Sequence, residues 1–231
     1  MNKISLYTLL ILIFLGLSKS LSPSAQKAIY IQNEKVYSGL FQGAPLSLIL
    51  VDMFQAGFLI KTYYMKFKIV HGFKQSETII TRTSKKYWTA NKDKIGMSLF
   101  RRYERDNRES VVPMPPGTLY IGDPAFGGWK FRNSGKREWY FHRAYRHFPF
   151  QFYWDDFRPT YEFYEKLQIY LKNEKPFFGL NQEFGTKGSI TSHLNENSPY
   201  KREDQEYIFL EHLSDYIDVP PWKKVTQESE E

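Results

Sequence analysis

The chain contains no cysteine, which removes disulfides, thiolate nucleophiles and thiolate metal sites together. An acylated lipoprotein leader, which needs a cysteine at its cut site, is excluded on the same ground. Histidine is sparse, with His71, His142, His147, His193 and His212 making up the set. Only His142 and His147 lie close in sequence, and their separation puts them on opposite faces of a strand and off the shared face of a helix. No metal site and no cofactor is expected from that spacing. Internal repeats and low-complexity tracts are missing as well.

Long apolar runs are few. The first, from Ile4 to Leu17, is preceded by Lys3 and followed by the small-residue stretch Ser18, Lys19, Ser20. A positive start, a short apolar core and a small-residue cleavage site are the signature of a secretory signal. Residues 1–20 are therefore expected to be a signal peptide cut near Leu21, leaving an exported product that is periplasmic or extracellular. An uncleaved signal would instead act as a membrane anchor, although the run is shorter than the roughly 20 apolar residues of a spanning helix. A transit peptide is a poor fit, because the segment holds no arginine. The second run, Leu46 to Ile60, carries Asp52 and Gln55 near its middle. A charge at the centre of a span costs about 3 kcal/mol on insertion scales, so this run is expected to be a buried core element.

Aromatic residues are abundant at 18% of the chain, many of them beside lysine or arginine. That mixture favours strands and broad amphipathic surfaces over an all-helical bundle. Charge is unevenly spread. Between Lys61 and His147 there are 19 Lys and Arg against 7 Asp and Glu, whereas from Phe148 to Glu231 there are 9 against 16. Asymmetry of this kind marks a polyanion-binding face, or two halves that neutralise each other internally. For an exported protein the fitting partners are an anionic envelope polymer, lipid headgroups or an acidic protein, and nucleic acid is not expected.

The patterns predict an α+β fold in which an antiparallel sheet, rich in hairpins and built from Ala28 to Phe148, packs against two C-terminal helices. Residues 21–222 form one domain and 223–231 a disordered tail. Short strands are expected at Ala28 to Gln32 and Thr118 to Ile121. Lys61 to Val70 alternates, with Met65, Phe67 and Ile69 on one side and Lys66 and Lys68 on a solvent side. Glu77 to Trp88 reads as a strand, and Met97 to Arg105 as either helix or strand. Trp129 to Arg132 and Arg137 to His147 flank Asn133, Ser134, Gly135 and Lys136, which predicts a hairpin. Helices are predicted after Pro159, with Phe163, Tyr164, Leu167, Tyr170 and Leu171 on one stripe, and from Glu203 to Ile217.

Three chemistries compete with simpler structural roles. Paired carboxylates for a hydrolase are available in Asp155, Asp156, Glu162 and Glu183, with His142 as a further acid–base group, but acids before a helix usually cap it. Ser189 and Ser192, in the Gly185 to His193 stretch, lack a partner pattern for nucleophilic catalysis. The stretch from Trp129 to Trp154 interleaves rings with cations and is the best binding candidate. The expectation is a non-enzymatic exported protein that binds an anionic or glycan surface, or a partner protein, through Lys130, Arg132, Arg137, Trp139, Arg143 and Arg146. The competing expectation is an envelope hydrolase or transferase using His142, Asp155, Asp156 or Glu183. A membrane-anchored structural subunit of a complex is the third.

Overall fold

A computed structural model describes residues 3–20, 28–57, 61–72, 75–104, 106–132 and 135–199. The first element is helix α1 (Lys3–Ser20). Its side chains from Ile4 to Leu15 are exposed, although the helix is apolar on every side. Among the described residues no helix is long and apolar enough to cross a membrane.

The fold is α+β, and its centre is a six-stranded sheet. In chain order the strands are β1 (Tyr30–Ile31), β2 (Leu46–Ala56), β3 (Thr62–His71), β4 (Glu77–Thr83), β5 (Ser98–Arg102) and β6 (Glu109–Ser110), arranged β1-β4-β3-β2-β5-β6. The second apolar run of the sequence becomes β2, paired with both β3 and β5, and its first five residues are all buried. The sheet is mixed rather than purely antiparallel, because β1 runs parallel to β4. The segment expected to be one strand from Glu77 to Trp88 is divided. β4 ends at Thr83, and Ser84 then caps helix α3 (Lys85–Ala90) by accepting from the Tyr87 amide. Met97 to Arg105, ambiguous by pattern, contains the strand β5.

The alternation in β2 and β3 sorts side chains into two cores. Leu48, Leu50, Met65 and Phe67 pack on one face with Tyr37 of the short helix α2 (Tyr37–Leu40) and Trp88 of α3. Ile49 and Val70 point to the other face, into a larger cluster holding Tyr120, Trp139, Phe148, Phe152, Trp154 and Phe163. Both faces of the central strands are therefore covered. The expected solvent side of β3 does not exist at Lys68, which is only 9% exposed. Its ammonium donates to the Gln151 carbonyl at 2.9 Å and lies 4.5 Å from the Tyr153 ring centroid.

The covering layer comes from residues 111–199. Thr118 to Ile121, expected as a strand, is a turn in which Thr118 donates to the Pro115 carbonyl at 2.6 Å. The hairpin is present as β7 (Gly127–Phe131) and β8 (Arg137–Phe141), a separate two-stranded sheet. A 3-10 turn (Arg143–Tyr145) and the short helix α4 (Phe148–Gln151) follow. Helix α5 (Tyr161–Lys172) is capped by Thr160, whose hydroxyl accepts from the Phe163 amide, and it buries Phe163 and Leu167. Pro159 and Thr160 lie along β8, with the Trp139 amide donating to the Pro159 carbonyl at 2.9 Å. Helix α6 (Ser192–Glu196) closes the described part. The second predicted helix, Glu203 to Ile217, and the predicted tail lie outside the described residues.

Candidate binding surface

The hairpin pairs Trp129 with Trp139, Lys130 with Glu138 and Phe131 with Arg137. Period two then gives it two distinct faces. Trp129, Phe131, Arg137, Trp139 and Phe141 share the face turned toward α5. Trp129 packs edge-on against Trp139 at 5.1 Å, Tyr161 at 5.1 Å and Tyr164 at 5.5 Å. A Cβ on Gly127 would collide with the Tyr140 carbonyl and the Trp139 ring, so glycine is what lets the strands close over that indole. Lys130, Glu138 and Tyr140 make up the opposite face. There Lys130 lies 5.4 Å from the Tyr140 ring centroid, and Arg132 approaches Glu138 at 3.4 Å.

Of the six residues singled out for binding, Trp139 is misassigned. It is 1% exposed and belongs to the core, because the bulk of an indole at that position is what the inner face of the hairpin needs. The other five are exposed. Arg137 stacks between Tyr161 and Phe131, 4.5 and 5.6 Å from their centroids. Arg143 and Arg146 belong to the 3-10 turn and its end, and among the described residues neither has an ion-pair partner. From Lys130 to His147 six Lys and Arg face a single acid, Glu138.

Two rings in this region were not singled out and are prominent. Phe131 at the hairpin tip is 75% exposed, and Phe150 on α4 is 80% exposed. Phe131 follows the alternation of its strand, but its face runs past the end of α5's cover there. Nothing in the sequence marks Phe150 as different from the buried Phe148 and Phe152. Lys68 sits beneath this turn, 5.9 Å from the Phe150 centroid, and burial lowers its pKa from the ordinary lysine value.

The carboxylates and the histidine of the competing reading stay apart in their bonding. His142 Nε2 lies 2.9 Å from the Pro124 carbonyl oxygen. Asp155 and Asp156 are exposed, and the Asp155 backbone carbonyl accepts from Arg158 at 3.0 Å. Glu183 is buried and organises its own loop, accepting from the Asn181 amide at 2.8 Å and from the Asn181 side chain at 3.1 Å. No hydrogen bond or ion pair joins any two of these four residues. Ser198 offers a nucleophile type near an acid, but its hydroxyl donates directly to Asp52 at 2.8 Å while His193 Nδ1 is engaged by the Ile190 carbonyl at 2.7 Å. Among the described residues no hydrogen bond joins Ser198 to His193, the link that nucleophilic activation by that histidine requires. Among the described residues no three His, Asp or Glu side chains gather in a way that could hold a metal ion.

Comparisons of the chain with protein-family models, with curated proteins and with solved structures found no match.

Proposed function

We propose that this is an exported, non-enzymatic protein that binds an anionic surface through the hairpin and the turn that follows it. The observation that carries the reading is the combination, within Lys130 to Phe150, of five exposed candidate cations with two largely exposed phenylalanines. Cations draw the protein toward phosphate or carboxylate over about a Debye length. Exposed rings add what a soluble polyanion would not use, an apolar anchor for the headgroup boundary of a lipid surface. Lipid headgroups are thus favoured over envelope polymer or an acidic protein. Lys3, the apolar run of α1 and the small residues after it support export by a secretory signal.

The test is vesicle binding by the full chain, with phosphatidylglycerol-containing vesicles compared with pure phosphatidylcholine at low and at about 0.15 M salt. Preferential, salt-weakened binding to the anionic vesicles is the expected result. Equal binding to both, insensitive to salt, would assign membrane contact to the apolar N-terminal helix and overturn the hairpin reading. A soluble polyanion that competes completely, with no residual vesicle binding, would move the assignment to polymer. Intact mass of the protein from its native host tests export, with a product beginning near Leu21 expected.

A further inference from the structure

A separate cavity of about 610 Å³ opens between the segments that follow β1 and β4 and the stretch from β5 to Pro113. β1 and β4 are parallel neighbours, so Ile31 and Thr83 end side by side. The chain leaves them through a 3-10 turn (Glu34–Val36) and through α3. The crevice beyond the carboxyl ends of parallel strands is a common ligand position in sheets, and the volume lies within the usual range of small-molecule sites.

The two walls differ in chemistry. Leu99, Val111 and Pro113 supply an apolar side. On the other, Ser84 is fully used in framing the cavity, because it caps α3 and donates to the Gln32 carbonyl at 3.3 Å. Tyr87 is not fully used. Its hydroxyl lies 2.8 Å from that of Tyr37, and Tyr37 is wholly buried. One proton occupies the space between the two oxygens. Were it the Tyr87 proton, the Tyr37 proton would be stranded in the core without an acceptor, at a cost of about 1–3 kcal/mol. Tyr37 therefore donates, and the Tyr87 proton is left over for the cavity. Burial pushes the Tyr87 hydroxyl up to about 12, so it remains a donor at neutral pH. Lys94 is held against the end of α3 by the Ala90 carbonyl and by the Asn91 side chain at 3.2 Å. Two of its three N–H groups are occupied and one remains. Lys86 also lines the cavity, and the lining carries one acid, Glu34.

We infer that this cavity binds a small organic anion, with its carboxylate or phosphate head toward Tyr87, Lys86 and Lys94 and its apolar body against Leu99, Val111 and Pro113. The site is independent of the hairpin surface. It is tested by titrating benzoate, phenyl phosphate and benzylamine into the full chain while following the Tyr87 and Leu99 resonances by NMR. At least one of the two anions is expected to give saturable shifts, and which one binds tighter identifies the head group; benzylamine is expected to give none. Val111→Trp, a change at a partly exposed wall position, is expected to abolish the shifts with the fold intact, and Lys86→Gln with Lys94→Gln to weaken binding about tenfold or more. Arg143→Glu is expected to leave the titration unchanged. No saturable shift with either anion, equal binding of benzylamine, undiminished binding in Val111→Trp, or loss of binding in Arg143→Glu would each overturn the assignment.

Discussion

Lys68 and Arg101 on the six-stranded sheet, and Lys130, Arg143 and Arg146 on and after the hairpin, are cations set among aromatic and apolar neighbours, yet they meet opposite surroundings. Arg101 is 0% exposed and gives its protons to the Ser98 carbonyl, the Ser110 hydroxyl and the Val112 carbonyl at 2.8–3.2 Å. Lys68 is closed over by α4. The hairpin cations stand in solvent. A buried cation must spend its donors inside the protein because desolvation is otherwise uncompensated, whereas an exposed one keeps its charge available for a partner. Lys68, Arg101 and Lys130 are alike in residue type and in lying on strands. The difference lies in which distant segment covers the second face.

The contrast is broken most forcefully at Arg101. Arg101→Ala removes a buried guanidinium, opens a cavity and takes the donor from the Val112 carbonyl, while the Ser98 carbonyl and the Ser110 hydroxyl keep the Met114 and Val112 amides, for an expected loss of about 3–5 kcal/mol in denaturant unfolding. Arg143→Ala on the exposed side is expected within about 0.5 kcal/mol of the parent. Trp139→Ala ranks with Arg101, at about 3–5 kcal/mol, because its indole is core rather than binding surface. Equal stability of Trp139→Ala and the parent would contradict that placement.

Smaller effects appear in alkaline titration. The pKa of Lys68 is lowered by burial from its ordinary 10.5, so below that range the folded state carries the cost of holding its proton. The unfolded chain binds the proton more strongly through the window just below 10.5, and stability contributed by this group rises with pH there. Tyr87 works in the opposite sense. Its folded pKa of about 12 exceeds the ordinary 10.0, so its contribution is complete below pH 10 and is lost as pH climbs toward 12. Lys68→Met is expected to remove the first slope from a series of unfolding curves and Tyr87→Phe to remove part of the second, and unchanged slopes would count against either assignment. Phe131→Ser with Phe150→Ser is expected to change stability by no more than about 0.5 kcal/mol per site while weakening anionic-vesicle binding about thirtyfold, from roughly 1 kcal/mol of partial apolar burial per ring. Unweakened binding would remove the apolar anchor from the account.

Local pattern made much of this architecture readable. The apolar stretch at Leu46, the hairpin around Gly135 and the Phe163 and Leu167 stripe of α5 all follow from period and turn chemistry. Lys68 was misread because alternation reports that a strand has two faces and cannot report that Gln151 and Tyr153, more than eighty residues on, roof the second one. Thr118 to Ile121 has the β-like composition of a strand, but Gly117 and the Pro115 carbonyl bend it into a turn. At the candidate surface the cations were legible from their density and the rings were not. Trp139 and Phe131 sit on the same face of the hairpin, and only their distance from the packed end of α5 decides that one is buried and the other exposed. The Tyr37–Tyr87 pair joins residues fifty positions apart, which no local pattern encodes.

The most direct measurement is the affinity of the full chain for phosphatidylglycerol-containing vesicles beside that of a Lys130→Glu, Arg143→Glu, Arg146→Glu variant whose unfolding midpoint is checked in parallel. Each cation near an anionic surface contributes about 1 kcal/mol, so the variant is expected to lose at least about a hundredfold in affinity at low salt with its stability unchanged. Equal affinity of the two proteins would contradict the claim that the exposed cations of the hairpin and its following turn are the binding surface.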